Sequence, residues 1–186
     1  RKFMNIELSI LDWIQTLHTP FLDKIMVFIT RLGDAGIIWI VLSIVLLLIP
    51  KTRKSGAVMV AALVVDVLLC NIVLKNLVAR IFSKLEIEKR RELKKLMVND
   101  VNTGVHLLVA KLHDYSFPSG HTAASFASVT TLYLAGEKKL WKFALVLACL
   151  IAISRLYLYV HYPTDVLGGI LFGVISGYLG YRKVLK

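Results

Sequence analysis

At 186 residues the chain has room for one domain, and 57% hydrophobic residues with a mean hydropathy of +0.70 exclude an ordinary soluble protein. A formal net charge of +11 would suggest nucleic acid in a soluble chain, but here much of the excess sits in short runs between apolar segments: Lys51, Arg53 and Lys54; Lys138, Lys139 and Lys142; Arg182, Lys183 and Lys186. That is the placing expected of loops facing anionic lipid on the cytoplasmic side.

No cleavable signal peptide is read at the start, because Arg1, Lys2 and Phe3 lead through Met4 into an amphipathic stretch. Ile6 to Leu17, with Trp13 among apolar residues and Asp12 and Gln15, reads as an interfacial helix. Pro20 opens a helix to Leu32 that carries Asp23 and Lys24 and is short for a crossing, which takes about 20 residues. Ile37 to Ile49, Gly56 to about Val78, His121 to Gly136, Leu140 to Tyr159 and Val166 to Tyr181 read as crossings. With 20–32 as the sixth, the expected fold is all-α, an integral membrane bundle of about six transmembrane helices in a single domain, 1–186. Cys70 and Cys149 lie in these apolar segments and read as small core residues rather than a disulfide or metal pair. Gly169, Gly173 and Gly177 make a small-residue face for close helix packing, and Tyr157, Tyr159 and Tyr162 fit an aromatic belt at the membrane boundary.

Residues 81–99 break the pattern. IFSKLEIEKRRELKKLMVN reads as a soluble amphipathic helix with a capping box, Ser83 and Glu86. Seven basic and three acidic residues lie between Arg80 and Lys95, awkward for an extracytoplasmic segment. Three readings stand: a solvated or protein-partner-binding helical face, an engineered replacement helix, and a clamp for lipid headgroups. No nucleic-acid fold or interleaving of aromatic with basic residues is present.

The chemistry concentrates in three patches. Phe117-Pro118-Ser119-Gly120 breaks the chain just before an apolar helix, so free N–H groups and a positive dipole end form an anion site. Gly120 permits close approach, Ser119 brings a hydroxyl and His121 stands at the rim. In Ser154 to Asp165, Pro163 suits an early position of the last helix and puts Asp165 in its first turn. There Asp165 can accept a hydrogen bond from one nitrogen of His161 and leave the other a lone pair, while Arg155 suits bidentate phosphate binding. Lys75 is the third patch. If the basic loops are cytoplasmic, all three patches lie on the opposite, extracytoplasmic face. A zinc site built on His121, His161 and a carboxylate is a rival reading without a supporting spacing.

PSGH at 118–121 and SR-x5-H-x3-D from Ser154 to Asp165 resemble the second and third motifs of the type 2 phosphatidic acid phosphatase superfamily, integral membrane lipid phosphatases. The resemblance covers nearly all of the chain except 81–99. It implies His161 as the nucleophile of a phosphohistidine intermediate, Asp165 as its support and His121 as the acid for the leaving group. Lys75, Ser119, Gly120 and Arg155 would bind phosphate, with no metal or other cofactor. The substrate would be a membrane lipid phosphate: phosphatidate, phosphatidylglycerol phosphate or a polyprenyl diphosphate. The first motif departs from the family pattern of lysine, six residues, arginine, proline: Lys75 is followed by Phe82 and Ser83. An impaired phosphatase is therefore expected; the alternative is an inactive scaffold or lipid-phosphate-binding protein.

Overall fold

The structure is a computed structural model that describes residues 2–78, 108 and 116–185. The 81–99 segment, with Phe82, lies outside the described residues. Seven α-helices follow in chain order: α1 (Lys2–Gln15), α2 (Pro20–Leu32), α3 (Ile37–Leu48), α4 (Arg53–Asp66), α5 (Gly120–Leu134), α6 (Leu140–Tyr157) and α7 (Pro163–Leu185), with no strand among the described residues. A 3-10 turn, Asp34–Gly36, joins α2 to α3, and α4 runs on as a π-helix, Val67–Leu74.

Local sequence explains the helix starts. Thr19 caps α2, its hydroxyl accepting from Leu22 N at 3.2 Å, and Pro20 follows where a missing N–H costs nothing. At the start of α7 the Asp165 carboxylate reaches back to accept from Tyr162 N at 2.9 Å, as a third helical residue does in a capping box.

Three helices are long and apolar enough to cross a membrane: Arg53–Val78, Leu140–Tyr157 and Pro163–Leu185. Pro20–Leu32 and Asp34–Leu48 pass together as a pair bent by 47°. By length and composition the described residues therefore hold three spans, or four, against the six expected. The 12 residues of α3 rise only about 18 Å, short of a hydrocarbon core of about 30 Å. The 13 of α2 do little better, and α5 has 15.

The bundle turns apolar side chains such as Phe21, Phe28, Phe143 and Leu167 outward, as a lipid-facing surface requires, and packs small residues inward. Added Cβ atoms on Gly169 and Gly177 would lie 2.7 Å from Ser119 O and 2.6 Å from Thr130 Cβ of α5, and one on Gly173 would strike Ala123 O. The glycine face expected in the last helix is thus where α5 and α7 meet. Ser125 and Ser128, fully buried in α5, donate to the carbonyls of His121 and Ala124 one turn back, so their hydroxyls need no other partner. Trp39 of α3 donates to Ser125 Oγ at 2.9 Å and sits in a core with Leu46, Met59, Leu132, Ala148 and Ile151. At the basic end, Ser55 donates to Glu137 at 2.7 Å, placing the α3–α4 and α5–α6 connections together.

The three tyrosines differ from the aromatic belt expected of them. Tyr157, Tyr159 and Tyr162 are buried. Tyr157 donates to Asp23 Oδ1 at 2.6 Å and stacks on His18, and Tyr159 donates to Asp12 Oδ1 at 2.8 Å. Two hydroxyls tie the α6–α7 loop to α1 and α2, and Leu11 packs beneath Tyr159 and Tyr162.

Candidate active site

Four chain ends converge at the end of the bundle away from the basic loops: the α2–α3 turn, the starts of α5 and α7, and the end of α6. A backbone bond from Ser119 N to Asp165 O, 3.0 Å, holds the starts of α5 and α7 side by side. Ser119 is fully buried at the N-cap of α5, and its Oγ accepts from Thr122 Oγ1 at 3.1 Å, leaving its own proton to donate. Among the described residues no atom beyond the helix's own backbone lies within 4 Å of where a Cβ on Gly120 would point, so nothing described there crowds the first turn of α5.

His161 follows a turn in which Tyr159 has φ +56° and Val160 N donates to Arg155 O at 3.2 Å. Its Nδ1 lies 3.5 Å from Asp165 Oδ2 without making a hydrogen bond among the described residues, and both side chains are almost fully enclosed, at 6% and 2% exposure. Burial pushes the imidazole below its ordinary range; Asp165 opposes this, while Arg155 and then Lys75 add to it. His161 is accordingly neutral at neutral pH. Lys75 lies on the helical continuation of α4.

Arg155 is 4% exposed. Its Nη1 donates to Thr30 Oγ1 at 2.6 Å, whereas its buried Nε has no partner among the described residues. Such donors are nearly always satisfied, and a guanidinium beside a neutral imidazole suits an incoming anion. A cavity of roughly 330 Å³ opens beside this cluster and is lined in part by Gly33, Asp66, Gly120 and His121.

The family profile of the PAP2 superfamily matches residues 55–186. The chain belongs to the PAP2 superfamily. It is 33% identical to an undecaprenyl-diphosphatase of Sulfolobus acidocaldarius over 87% of this chain and 70% of that protein. It is 31% identical to the undecaprenyl-diphosphatase BcrC of Bacillus subtilis over 89% and 76%. Among solved structures, a transmembrane PAP2-type phosphatidylglycerolphosphate phosphatase of Bacillus subtilis covers the whole chain and 89% of its own, with a TM-score of 0.70 at 27% identity. LpxE of Aquifex aeolicus shares the fold, with a TM-score of 0.71 at 24% identity over 95% of each chain.

In this PAP2 chain the second and third motifs come together as one cluster of His121, Arg155, His161 and Asp165, with Ser119 and Gly120 at its edge. Among the described residues no three His, Cys, Asp or Glu side chains gather as a metal site. Sequence reasoning passed over three neighbours from the α2–α3 region: Thr30, which holds Arg155; Gly33, where a Cβ would come 2.9 Å from His121 Cδ2; and Asp34, bonded to His121 Nε2 at 2.8 Å. One signal was available. Asp34 is the only acidic residue between Asp23 and Asp66, set between two apolar runs, and charges in such places are functional by default.

Proposed function

We infer that this chain hydrolyses lipid phosphate or diphosphate monoesters, as one membrane phosphatase domain over 1–186, through a phosphohistidine and without a metal. The observation that carries this is a buried arginine whose Nε has no partner among the described residues, beside a neutral histidine 3.5 Å from a carboxylate at the end of an apolar bundle. Nε2 of His161 attacks phosphorus in line with the leaving oxygen, Asp165 steadies the imidazole, and His121 protonates the leaving group. Arg155, Ser119, the α5 N-terminus at Gly120, and Lys75 hold the phosphoryl oxygens, which gather charge in the transition state. Water then cleaves the N–P bond, with His121 as base.

A lipid substrate is favoured by a cleft of about 350 Å³ between α3 and α4, lined by Ser43 and otherwise by apolar residues; it shares Ile40, Leu63 and Val67 with the cavity beside His121. An acyl or prenyl chain fits such walls. The site is assigned to the extracytoplasmic face, because the basic connections at 51–54 and 138–142 lie at the other end. Phe82 in place of the first-motif arginine lowers turnover on the order of a hundredfold, the usual scale for one lost transition-state contact.

The test is phosphate release by the full chain in detergent from a polyprenyl diphosphate, phosphatidylglycerol phosphate and phosphatidate. Weak release, abolished in His161→Ala, rising in the double variant Phe82→Arg, Ser83→Pro, and accompanied by acid-labile phosphate trapped on His161, is expected. Release that is the same in His161→Ala as in the parent chain would instead favour a non-catalytic lipid-phosphate-binding scaffold, a reading motivated by Phe82.

A further inference from the structure

The site contains a second histidine–carboxylate pair. His121 Nε2 lies 2.8 Å from Asp34 Oδ1, across 87 residues of sequence, with the histidine 19% and the aspartate 54% exposed. Three features of the α2–α3 turn put the carboxylate there. Ala35 and Gly36 are consecutive left-handed residues, φ +50° and +69°, so the chain reverses sharply just after Asp34. Gly33 seats the turn directly against the His121 ring, leaving no room for a Cβ. Thr30, one turn earlier on α2, grips Arg155, so the same short segment touches two of the cluster's groups.

We propose that Asp34 is the positioning residue for His121: it holds the ring by Nε2, leaves Nδ1 as the nitrogen that faces the leaving group, and favours a proton there for donation. The inference rests on the phosphatase reading above. Among the described residues, the charged and titratable groups around His121 are Asp34 on the α2–α3 turn, Arg155 on α6, His161 on the α6–α7 loop and Asp66 of α4 across the shared cavity. Burial, Arg155 and His161 all work against a proton on His121, and Asp34 is the group in contact with it that favours one. In the first step the bond from His161 Nε2 to phosphorus forms, the bond to the leaving oxygen breaks, and the Nδ1 proton of His121 moves to that oxygen. In the second, water adds to phosphorus as the N–P bond breaks, and its proton returns to Nδ1. Throughout, the Nε2 proton stays in the hydrogen bond to Asp34.

The experiment compares the full chain with Asp34→Asn, Asp34→Glu, His121→Ala and His161→Ala, using a polyprenyl diphosphate and an aryl phosphate whose leaving group departs without a proton. Asp34→Asn is expected to lower kcat roughly tenfold to a hundredfold, part of the ~10²–10⁴ that general acid catalysis supplies, with KM changed less than about threefold. The alkaline limb of kcat/KM moves to lower pH, Asp34→Glu recovers part of the loss, and the deficit shrinks on the aryl phosphate. A merely structural role would lower both substrates alike. Two results overturn the inference: unchanged kinetics and pH profile in Asp34→Asn, or a lower KM with undiminished kcat, which would mean that the carboxylate only occupies the phosphate's place. His161→Ala separates the two levels of argument. Background release there with an unchanged Asp34→Asn removes the role of Asp34 alone, whereas parental release in His161→Ala removes the phosphatase reading and this inference with it.

Discussion

The two histidines at the end of the bundle each face a carboxylate, but the pairs are built in opposite ways. His161 and Asp165 are four residues apart, nearly sealed from solvent, and placed by one loop and the first turn of α7. His121 and Asp34 are 87 residues apart, half-open on the carboxylate side, and placed only because the α2–α3 turn packs on the start of α5. In the enclosed pair the imidazole is kept neutral by burial, which suits a nucleophile. In the open pair burial also works against a proton on the imidazole, but there the half-exposed carboxylate of Asp34, in direct contact, opposes it. The two dyads thus differ in the length of chain they bridge and in how open their carboxylates are.

The largest test of this contrast is to break the enclosed pair. Asp165→Asn keeps an acceptor for Tyr162 N but removes the charge that steadies His161. The rate constant for phosphate release should fall by about 10²–10⁴, far more than in Asp34→Asn, and a smaller loss than in that variant would reverse the ranking of the two pairs. Next in size is Arg155→Lys. An ammonium retains the charge without the planar fork, so a loss on the order of a hundredfold is expected, read as weaker inhibition by orthovanadate together with slower turnover.

A pH series sharpens the comparison further. The imidazole of His161 sits below its ordinary value, about 6.5, mainly through burial. The unfolded chain therefore takes a proton that the folded chain refuses. This group costs no stability above about pH 6.5 and destabilises progressively as pH falls below it, towards the depressed folded value. Thermal melts in detergent should show that decline, and His161→Gln should flatten it; in kinetics, the acid limb should lie below 6.5. The smallest effect belongs to the turn behind the open pair. Ala35→Gly relieves a left-handed alanine and should stabilise by up to ~1 kcal/mol by reversible unfolding, where the turn keeps its shape.

Legibility followed the range of the interactions. The motifs at 118–121 and 154–165 could be read because each is a local device: a chain break before a helix, a proline opening a helix, and a carboxylate in its first turn. The geometry of the first apolar runs was not legible. Hydropathy marks Pro20–Leu32 and Ile37–Leu48 as apolar but is blind to the 47° bend between them. The tyrosines misled for a related reason, since an aromatic ring with a hydroxyl suits either a membrane boundary or a buried bond to Asp12 or Asp23, and only packing brings those partners near.

By itself, the sequence determined the membrane character, the helical class, the family and the half of the site carried by short motifs. These depend on composition and on neighbours within about a turn. Only the tertiary structure decided that Thr30 would hold Arg155 and that Asp34 would face His121. A contact across 87 or 125 residues leaves no period or spacing in the chain, and it exists because the α2–α3 turn is pressed into the end of the bundle.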